Sequence, residues 1–307
     1  MKIVVTGGAG FIGSSIVDRL ILNGEEVLVL DNLSTGRIEY LNQYAEFENV
    51  DIDSSNLKNI FLKFQPEAII HCAAQISVKD SESDPIFDAK NNIISGLNLL
   101  KIAIDSNVRQ ILYLGTGGAL YGEPKYLPCD EIHPINPISP YGLSKWTLER
   151  YMDLILPEPI LKKVLRLGNV YGPRQDHTGA SGVVAIFLSK MFLNNVVEIY
   201  GDGEQVRDFI FISDVVDAVE IALKSTSSFT VNISSGVGAS VNEIFKILCT
   251  QTLYKDSPQF KSKISGDINR IILSNDKAKS YLDWAPKISL EEGLNKTLEW
   301  FKNNFSK

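Results

Sequence analysis

The run Val4-Val5-Thr6-Gly7-Gly8-Ala9-Gly10-Phe11-Ile12-Gly13 constrains the fold more than any other part of the chain. A short apolar strand, Lys2–Thr6, enters a glycine turn, and a helical pattern, Gly13–Asn23, leaves it. Gly7, Gly10 and Gly13 are spaced G-x-x-G-x-x-G. In such a turn one glycine makes the tight bend, one lets the backbone approach a pyrophosphate, and one lets the helix pack on the strand. The partial positive charge at the helix N-terminus then meets the phosphates. A second strand, Glu26–Asp31, ends in an acid 18 residues past Gly13. That is about the distance at which a carboxylate reaches the ribose hydroxyls of a bound dinucleotide. A carboxylate there repels an added ribose phosphate, so Asp31 favours NAD over NADP, while Arg37 leaves NADP as the alternative.

The same rhythm continues through the first half. Ala68–Cys72, Gln110–Leu114 and Val164–Leu167 read as further strands, and Pro85–Ser106 and Tyr141–Leu156 as helices. Strands alternating with helices imply a parallel sheet covered on both faces, and the continuous apolar runs VLVL and AII fit burial on both sides. After Asn169 the rhythm changes. Residues 172–182 are rich in glycine and polar side chains and read as a loop. Ser181–Asn194, Val241–Cys249 and 289–304 read as helices, the last opened by a Ser/Glu capping box, while Thr250–Ser265 reads as loop. The expected fold class is α/β: a doubly wound parallel sheet with a smaller α/β domain for substrate. The expected division is 1–168 with a return segment at about 205–230, and 169–307, the chain crossing the boundary more than once.

Charge and cysteine content exclude several function classes. The formal net charge of −7 argues against a general nucleic-acid binder, which needs clustered Lys and Arg. Cys72, Cys129 and Cys249 are odd in number and far apart, which suggests neither a disulfide framework nor a zinc site. His133 and His177 fall in predicted loops without a second ligand at metal-binding spacing, so no metal is expected. No 18-residue apolar stretch is present, the first residues lack a signal peptide's apolar core, and a cytoplasmic location is expected.

Ser139-Pro140-Tyr141-Gly142-Leu143-Ser144-Lys145 opens a predicted helix. Tyr141 and Lys145 stand at i and i+4 and share a face. An ammonium beside a phenol favours the phenolate, and a tyrosine tuned this way can take a proton from a sugar hydroxyl as hydride leaves its carbon.

Taken together, TGGAGFIG, DNLSTG, HCAAQISV, YGEPKYLPCDE, SPYGLSK, RLGNVYGPR and GDGEQVRDFIFISDV resemble the NAD-dependent epimerase/dehydratase family of extended short-chain dehydrogenases, over nearly the whole chain. The resemblance is strongest to its UDP-glucose 4-epimerase-like members. It implies a Rossmann-type domain, tightly held NAD, a UDP-sugar substrate and a homodimer pairing the helices near Asn91 and Leu148. Phe11 and Ile12 would then lie along the pyrophosphate. Asp31, Asn32 and Gly36 would contact the adenosine ribose, and Asp51 and Ile52 would border the adenine. Ala73, Ala74 and Ile76 would line the path to the nicotinamide ribose, with Asn92 nearby. Tyr141 and Lys145 would carry the chemistry. Asn169 and Arg207 would bind the sugar nucleotide's diphosphate, with Asp267 in a further substrate-binding segment. The alternative for Arg207 is a surface ion pair with Asp208.

Two departures from the family pattern stand out. Counting back from Tyr121-Gly122, the usual catalytic Ser or Thr position falls on Gly117, and the nearby hydroxyl is that of Thr116. We expect Thr116 to take the role through a shifted backbone; the alternative is that it only ends the strand. The family's dehydratases and decarboxylases carry an acid after that Thr, whereas this chain has Gly117-Gly118-Ala119, which favours epimerisation. The second departure is Ile264, where a diphosphate-binding arginine usually precedes the Gly-Asp pair; Lys261, Lys263 and Arg270 are nearby cations. A net nucleotide-keto-sugar reductase, a 4,6-dehydratase and a non-catalytic sugar-nucleotide binder remain the rival readings. Asp214 opens an apolar helix and reads as its N-cap, and His71, beside a buried strand, reads as structural.

Overall fold

The structure, a computed structural model, describes residues 1–177, 182–263 and 268–304. The chain divides into two compact units, one formed by Met1–Thr116, Ser139–Arg166 and Val216–Val231, the other by Gly117–Ile138, Leu167–Val215 and Asn232–Lys307. The loop Gly117–Ile138, inside the expected 1–168 block, therefore goes with the second unit, and the return segment is Val216–Val231.

In chain order the strands are β1 (Lys2–Thr6), β2 (Glu26–Asp31), β3 (Glu46–Asn49), β4 (Ala68–His71), β5 (Gln110–Thr116), β6 (Leu161–Leu167), β7 (Asn169–Tyr171), β8 (Glu198–Tyr200), β9 (Val206–Phe211), β10 (Phe229–Ile233), β11 (Gly238–Ser240) and β12 (Gln259–Lys261). The helices are α1 (Phe11–Leu22), α2 (Leu57–Phe64), α3 (Val78–Ser83), α4 (Pro85–Ala89), α5 (Ser95–Asp105), α6 (Pro140–Ile155), α7 (Val183–Phe192), α8 (Ile212–Lys224), α9 (Val241–Thr252), α10 (Asp276–Leu282) and α11 (Leu290–Asn304).

The first unit is built on a seven-stranded sheet in the order β10-β6-β5-β4-β1-β2-β3. Strand β1 runs parallel to both β2 and β4, β2 to β3, and β4 to β5. Ile3, Val4, Val5, Ala68, Ile69 and Ile70 are fully buried, as strands covered on both faces must be. The chain winds outward through β1, β2 and β3, returns to β4, and winds the other way. The reversal lies between β1 and β4, and sheets of this kind bind ligands beside that point, at the carboxyl ends of the strands. Strand β3 reads EFEN and is an edge strand, polar enough to carry no periodic signal.

The segment read as one helix over Pro85–Ser106 is three pieces. Helix α4 is capped by Asp84, whose side chain accepts from the Phe87 N–H. A single π turn, Lys90–Ile94, follows, and α5 completes the run. Leu148 of α6 is buried: a Cβ on Gly96 would lie 2.5 Å from its Cδ2. Leu148 therefore fills the seam between α5 and α6. Helix α6 is also tied to β6 by Glu149 and Arg166, both about 5% exposed or less, with the guanidinium over the Trp146 ring at 5.7 Å.

The second unit has a three-stranded sheet, β11-β9-β7, with β7 parallel and β11 antiparallel to β9, and a separate β8–β12 pair. Helices α7, α9 and α11 pack together through edge-on Phe187–Phe245 and stacked Phe192–Phe301 pairs. Helix α9 opens on a Ser240–Glu243 capping box. Strand β12 lies inside the 250–265 stretch read as loop. Asp214 is not an N-cap: it lies in the first turn of α8, is buried, and its carboxylate accepts from the Ile288 N–H at 3.1 Å. Among the described residues no helix is long and apolar enough to cross a membrane.

Removing one member of a buried ion pair strands the other's charge, which costs about 3–5 kcal/mol. Glu149→Ala is expected to destabilise the protein by that amount in chemical denaturation. A loss below about 1 kcal/mol, the range of an exposed pair, would mean that water reaches Arg166.

Candidate active site

The glycine turn fills the reversal between β1 and β4. Gly7 has φ +68°, and a Cβ there would lie 2.8 Å from the Ala73 nitrogen, so the turn after β1 touches the segment after β4. A Cβ on Gly13 would lie 2.1 Å from the Gly7 carbonyl oxygen, so any side chain at 13 pushes α1 off the turn. Phe11 and Ile12 form the first turn of α1. Gly10 caps that turn without a side-chain hydrogen bond, and no acid lies within it. Its N–H groups and dipole are left to an outside anion.

Asp31, at the end of β2, is 8% exposed and holds the turn together. Its carboxylate accepts from the Ala9 N–H at 2.9 Å and the Leu33 N–H at 2.8 Å. A Cβ on Gly36 would lie 2.7 Å from Asp31 Oδ1, so Gly36 sits directly on the carboxylate. Asn32 donates to Asp51 Oδ2 at 2.9 Å, and the carbonyl of buried Ile52 accepts from Asn98 at 2.7 Å. The structure thus brings Asp31, Asn32, Gly36, Asp51 and Ile52 to one edge, beyond β2 and β3. Ala73 and Ala74 continue from β4 half-buried, while Ile76 is 59% exposed. The turn has no space for a side chain at Gly7 or Gly13, its helix N-terminus carries no acid, and a fixed carboxylate ends β2 beside it; these residues fit a dinucleotide.

Tyr141 and Lys145 lie on the first turns of α6, which starts at the Ser139 cap, the side chain accepting from the Gly142 N–H. Thr116, the last residue of β5, is hydrogen-bonded to the Tyr141 side chain. Gly117 has no room for a side chain, since a Cβ would lie 2.3 Å from Leu273 Cδ1. The hydroxyl therefore comes from 116. Burial pushes the Tyr141 phenol up to about 12, with the Thr116 hydrogen bond pulling the other way and the Asp88 charge adding to the rise. Burial thus opposes the phenolate, and the Thr116 hydrogen bond favours it. Burial also pulls the Lys145 ammonium down to about 8. Its Nζ lies 4.4 Å from the centre of the Tyr113 ring, a cation–π contact, and the Tyr113 hydroxyl donates to the Lys145 carbonyl at 3.3 Å. His71, stacked on Tyr113 at 5.6 Å, is pulled down to about 3 by burial and then by the Lys145 charge, and is neutral.

Asn92, in the π turn, is 3% exposed and fully engaged. Its amide donates to the Gln75 carbonyl, Asp88 and Ser144 at 2.9–3.1 Å, and its oxygen accepts from the Gln75 N–H at 2.8 Å. It ties the segment after β4 to α6. Sequence reasoning missed Tyr113, which sits in an apolar strand, and Gln75 and Asp88; the i, i+4 spacing of Asp88 and Asn92 was the available signal.

In the second unit Asn169 pairs with Phe209 across β7 and β9, and Arg207 stands two residues earlier on β9. Alternate strand residues share a face, so Asn169 and Arg207 lie on one face of the small sheet. A Cβ on Gly118 would lie 3.2 Å from Asn169 Oδ1, and Arg207 donates to the Val206 carbonyl at 2.8 Å. Asp208 is committed inward: buried, it accepts from the Ser235 N–H and hydroxyl and from the Gly236 and Leu273 N–H groups. Asp267 and Ile264 lie outside the described residues.

The family model for the NAD dependent epimerase/dehydratase family matches residues 3–234. The chain belongs to that family. It is 39% identical to a UDP-glucose 4-epimerase of Mycolicibacterium smegmatis over 99% of both chains. Among solved structures it is similar to the UDP-glucose 4-epimerase of Thermotoga maritima with UDP-glucose, at 46% identity and a TM-score of 0.95, covering 99% of this chain and 100% of that one. It is also similar to the Thermus thermophilus UDP-glucose 4-epimerase in complex with NAD, at 37% identity and a TM-score of 0.92, with the same coverage.

The contact at Gly13 is with backbone and cannot relax by a rotamer change. Gly13→Ala is therefore expected to lose nearly all bound dinucleotide on purification, read by the absorbance of the released cofactor. A variant retaining wild-type cofactor content would show that the turn does not hold the pyrophosphate of this epimerase/dehydratase family member.

Proposed function

We propose that the protein is an NAD-dependent UDP-sugar 4-epimerase that interconverts UDP-glucose and UDP-galactose by transient oxidation at carbon 4. The observation that carries this reading is the Thr116–Tyr141 hydrogen bond, made one helical turn from Lys145 beside the dinucleotide cradle. Gly7, Gly10, Phe11, Ile12 and Gly13 would hold the pyrophosphate of NAD, Asp31 and Asn32 its adenosine ribose. When bound, NAD supplies the hydride acceptor that lets carbon 4 pass through a flat keto form and return with either configuration.

The chain's own residues manage the proton and the substrate. Tyr141, as the phenolate, takes the proton of the sugar 4-hydroxyl as hydride leaves carbon 4, becomes the neutral phenol, and gives the proton back when hydride returns. The Thr116 hydrogen bond and the Lys145 charge favour the phenolate that must be present before the proton moves. Asn169 and Arg207 hold the diphosphate, for which the planar guanidinium fork is suited. Gly117-Gly118-Ala119 offers no acid to act at carbon 5, which separates this site from a dehydratase.

We also assign a homodimer. Leu143, Tyr151 and Leu154 of α6 and Ile86, Phe87 and Ile94 beside them are exposed apolar side chains, and positions 143, 147, 151 and 154 share one helix face. A second copy offers a self-complementary apolar face. Ile86→Lys with Leu154→Lys is expected to give monomers in analytical ultracentrifugation; an unchanged mass would place the interface elsewhere.

Incubated separately with UDP-glucose, UDP-N-acetylglucosamine and UDP-glucuronate, the protein is expected to form the 4-epimer of UDP-glucose, read by NMR. No 4-epimer from any of the three would overturn the reading. Tyr141→Phe is expected to lower turnover roughly 10²–10⁴-fold with NAD still bound. A lost hydrogen bond to a partly charged oxygen costs on the order of 1.5–3 kcal/mol, so Thr116→Val should slow turnover roughly ten- to a hundredfold, while Thr116→Ser keeps most of it.

A further inference from the structure

Asp88 is a carboxylate with 1% exposure, placed in α4 among neutral partners. Its oxygens accept from Asn92 Nδ2 at 3.0 Å and from Gln75 Nε2 at 3.3 Å, and the Asn92 amide also donates to the Ser144 hydroxyl, which itself donates to the Tyr141 carbonyl. Three segments therefore close on it: the stretch after β4, the π turn and α6. None of these donors carries a charge, and a buried anion held only by neutral groups is costly unless a cation lies within reach.

Lys145 of α6, the residue after Ser144, is the cation whose charge acts on Asp88, without a direct ion pair between them. The titratable groups around its ammonium are His71 and Cys72 at the end of β4, Tyr113 on β5, Tyr141 and Glu149 on its own helix, and Asp88. His71 is neutral, and burial pushes the Cys72 thiol up to about 12. Glu149 is matched by Arg166, so that pair brings no net charge. Asp88 is what remains to balance the ammonium.

We propose that Asp88 is a positioning residue for the Tyr141–Lys145 pair, its carboxylate keeping Lys145 charged while it locks Gln75, Asn92 and Ser144 against the start of α6. The inference rests on reading Tyr141 and Lys145 as the proton-transfer pair. Asp88 touches no reacting atom and acts through Lys145. Burial penalises that ammonium and Asp88 opposes the penalty, so removing the carboxylate shifts the ammonium's titration further down. Its effect on Tyr141 has the same sign, since the Asp88 charge raises the phenol.

The test is a direct titration. The holoenzyme is labelled with carbon-13 at the lysine ε-carbons, and the Lys145 signal is identified by its absence in Lys145→Met. In Asp88→Asn the midpoint of that signal is expected to fall by roughly one pH unit relative to wild type. Asp88→Ser, smaller and also neutral, makes the same comparison if the asparagine variant does not fold. Ser144→Ala removes a hydrogen-bond partner and keeps the carboxylate, and its midpoint is expected to stay at the wild-type value. An unmoved midpoint in the neutral variants, or an equal fall in Ser144→Ala, overturns the proposal. The titration does not depend on turnover. A protein without epimerase activity whose Lys145 midpoint still falls in Asp88→Asn would therefore remove the proposed function and not the charge balance.

Discussion

An ammonium taken out of water loses several kcal/mol of hydration and stays charged only if its surroundings return it. Lys145 is 5% exposed, and the structure around it follows from that requirement. The Tyr113 ring lies under the nitrogen, the neutral His71 ring stacks on Tyr113, and the nearest acid on its own helix is already matched by Arg166. Strands β4 and β5 must end side by side for His71 and Tyr113 to meet, and α6 must begin across them. The parallel pairing of His71 with Tyr113 supplies the first condition and the Ser139 cap the second. A charge beside Tyr141 is thus a consequence of where the sheet's strands stop.

The same strand ends fix the dinucleotide cradle. The Thr6 hydroxyl, at the end of β1, shares a hydrogen bond with His71 Nδ1 at 2.7 Å and accepts from the Ala73 N–H at 3.3 Å. One buried hydroxyl therefore couples the glycine turn to the strand that carries the lysine's surroundings. Gly7 is glycine because the Ala73 backbone occupies the space of its Cβ, and that close approach seals the reversal point of the sheet.

Features with sharp local chemistry were legible in the sequence. The glycine spacing, the acid ending β2 and the Tyr141–Lys145 step each follow from short-range geometry. The hydroxyl at 116 was legible only as a rival to position 117; Leu273, distant in sequence, decides it by filling the space at Gly117. Other features depend on contacts that periodicity does not encode. Strand β3 is polar because it is an edge, and the helix over 85–106 is broken by a π turn whose Ser95 hydroxyl donates to the Lys90 carbonyl at 3.0 Å. Helix α6 carries apolar residues on two sides, and the absence of a side chain at Gly96 shows that the Leu148 side is the buried one. The burial of Asp88 is likewise set by contacts with Gln75 and Asn92, of which only the i, i+4 step to Asn92 is local.

Oxidation and return at a single carbon, with Tyr141 handling the proton, is tested most directly by the fate of the hydrogen on that carbon. UDP-glucose deuterated at carbon 4 is incubated with the holoenzyme in ordinary water, and the product is examined by NMR. Retention of deuterium at carbon 4 of UDP-galactose, without build-up of reduced-nicotinamide absorbance, is the predicted result. Loss of the label to solvent would mean that the carbon exchanges its hydrogen as a proton, and would contradict transient oxidation at that carbon.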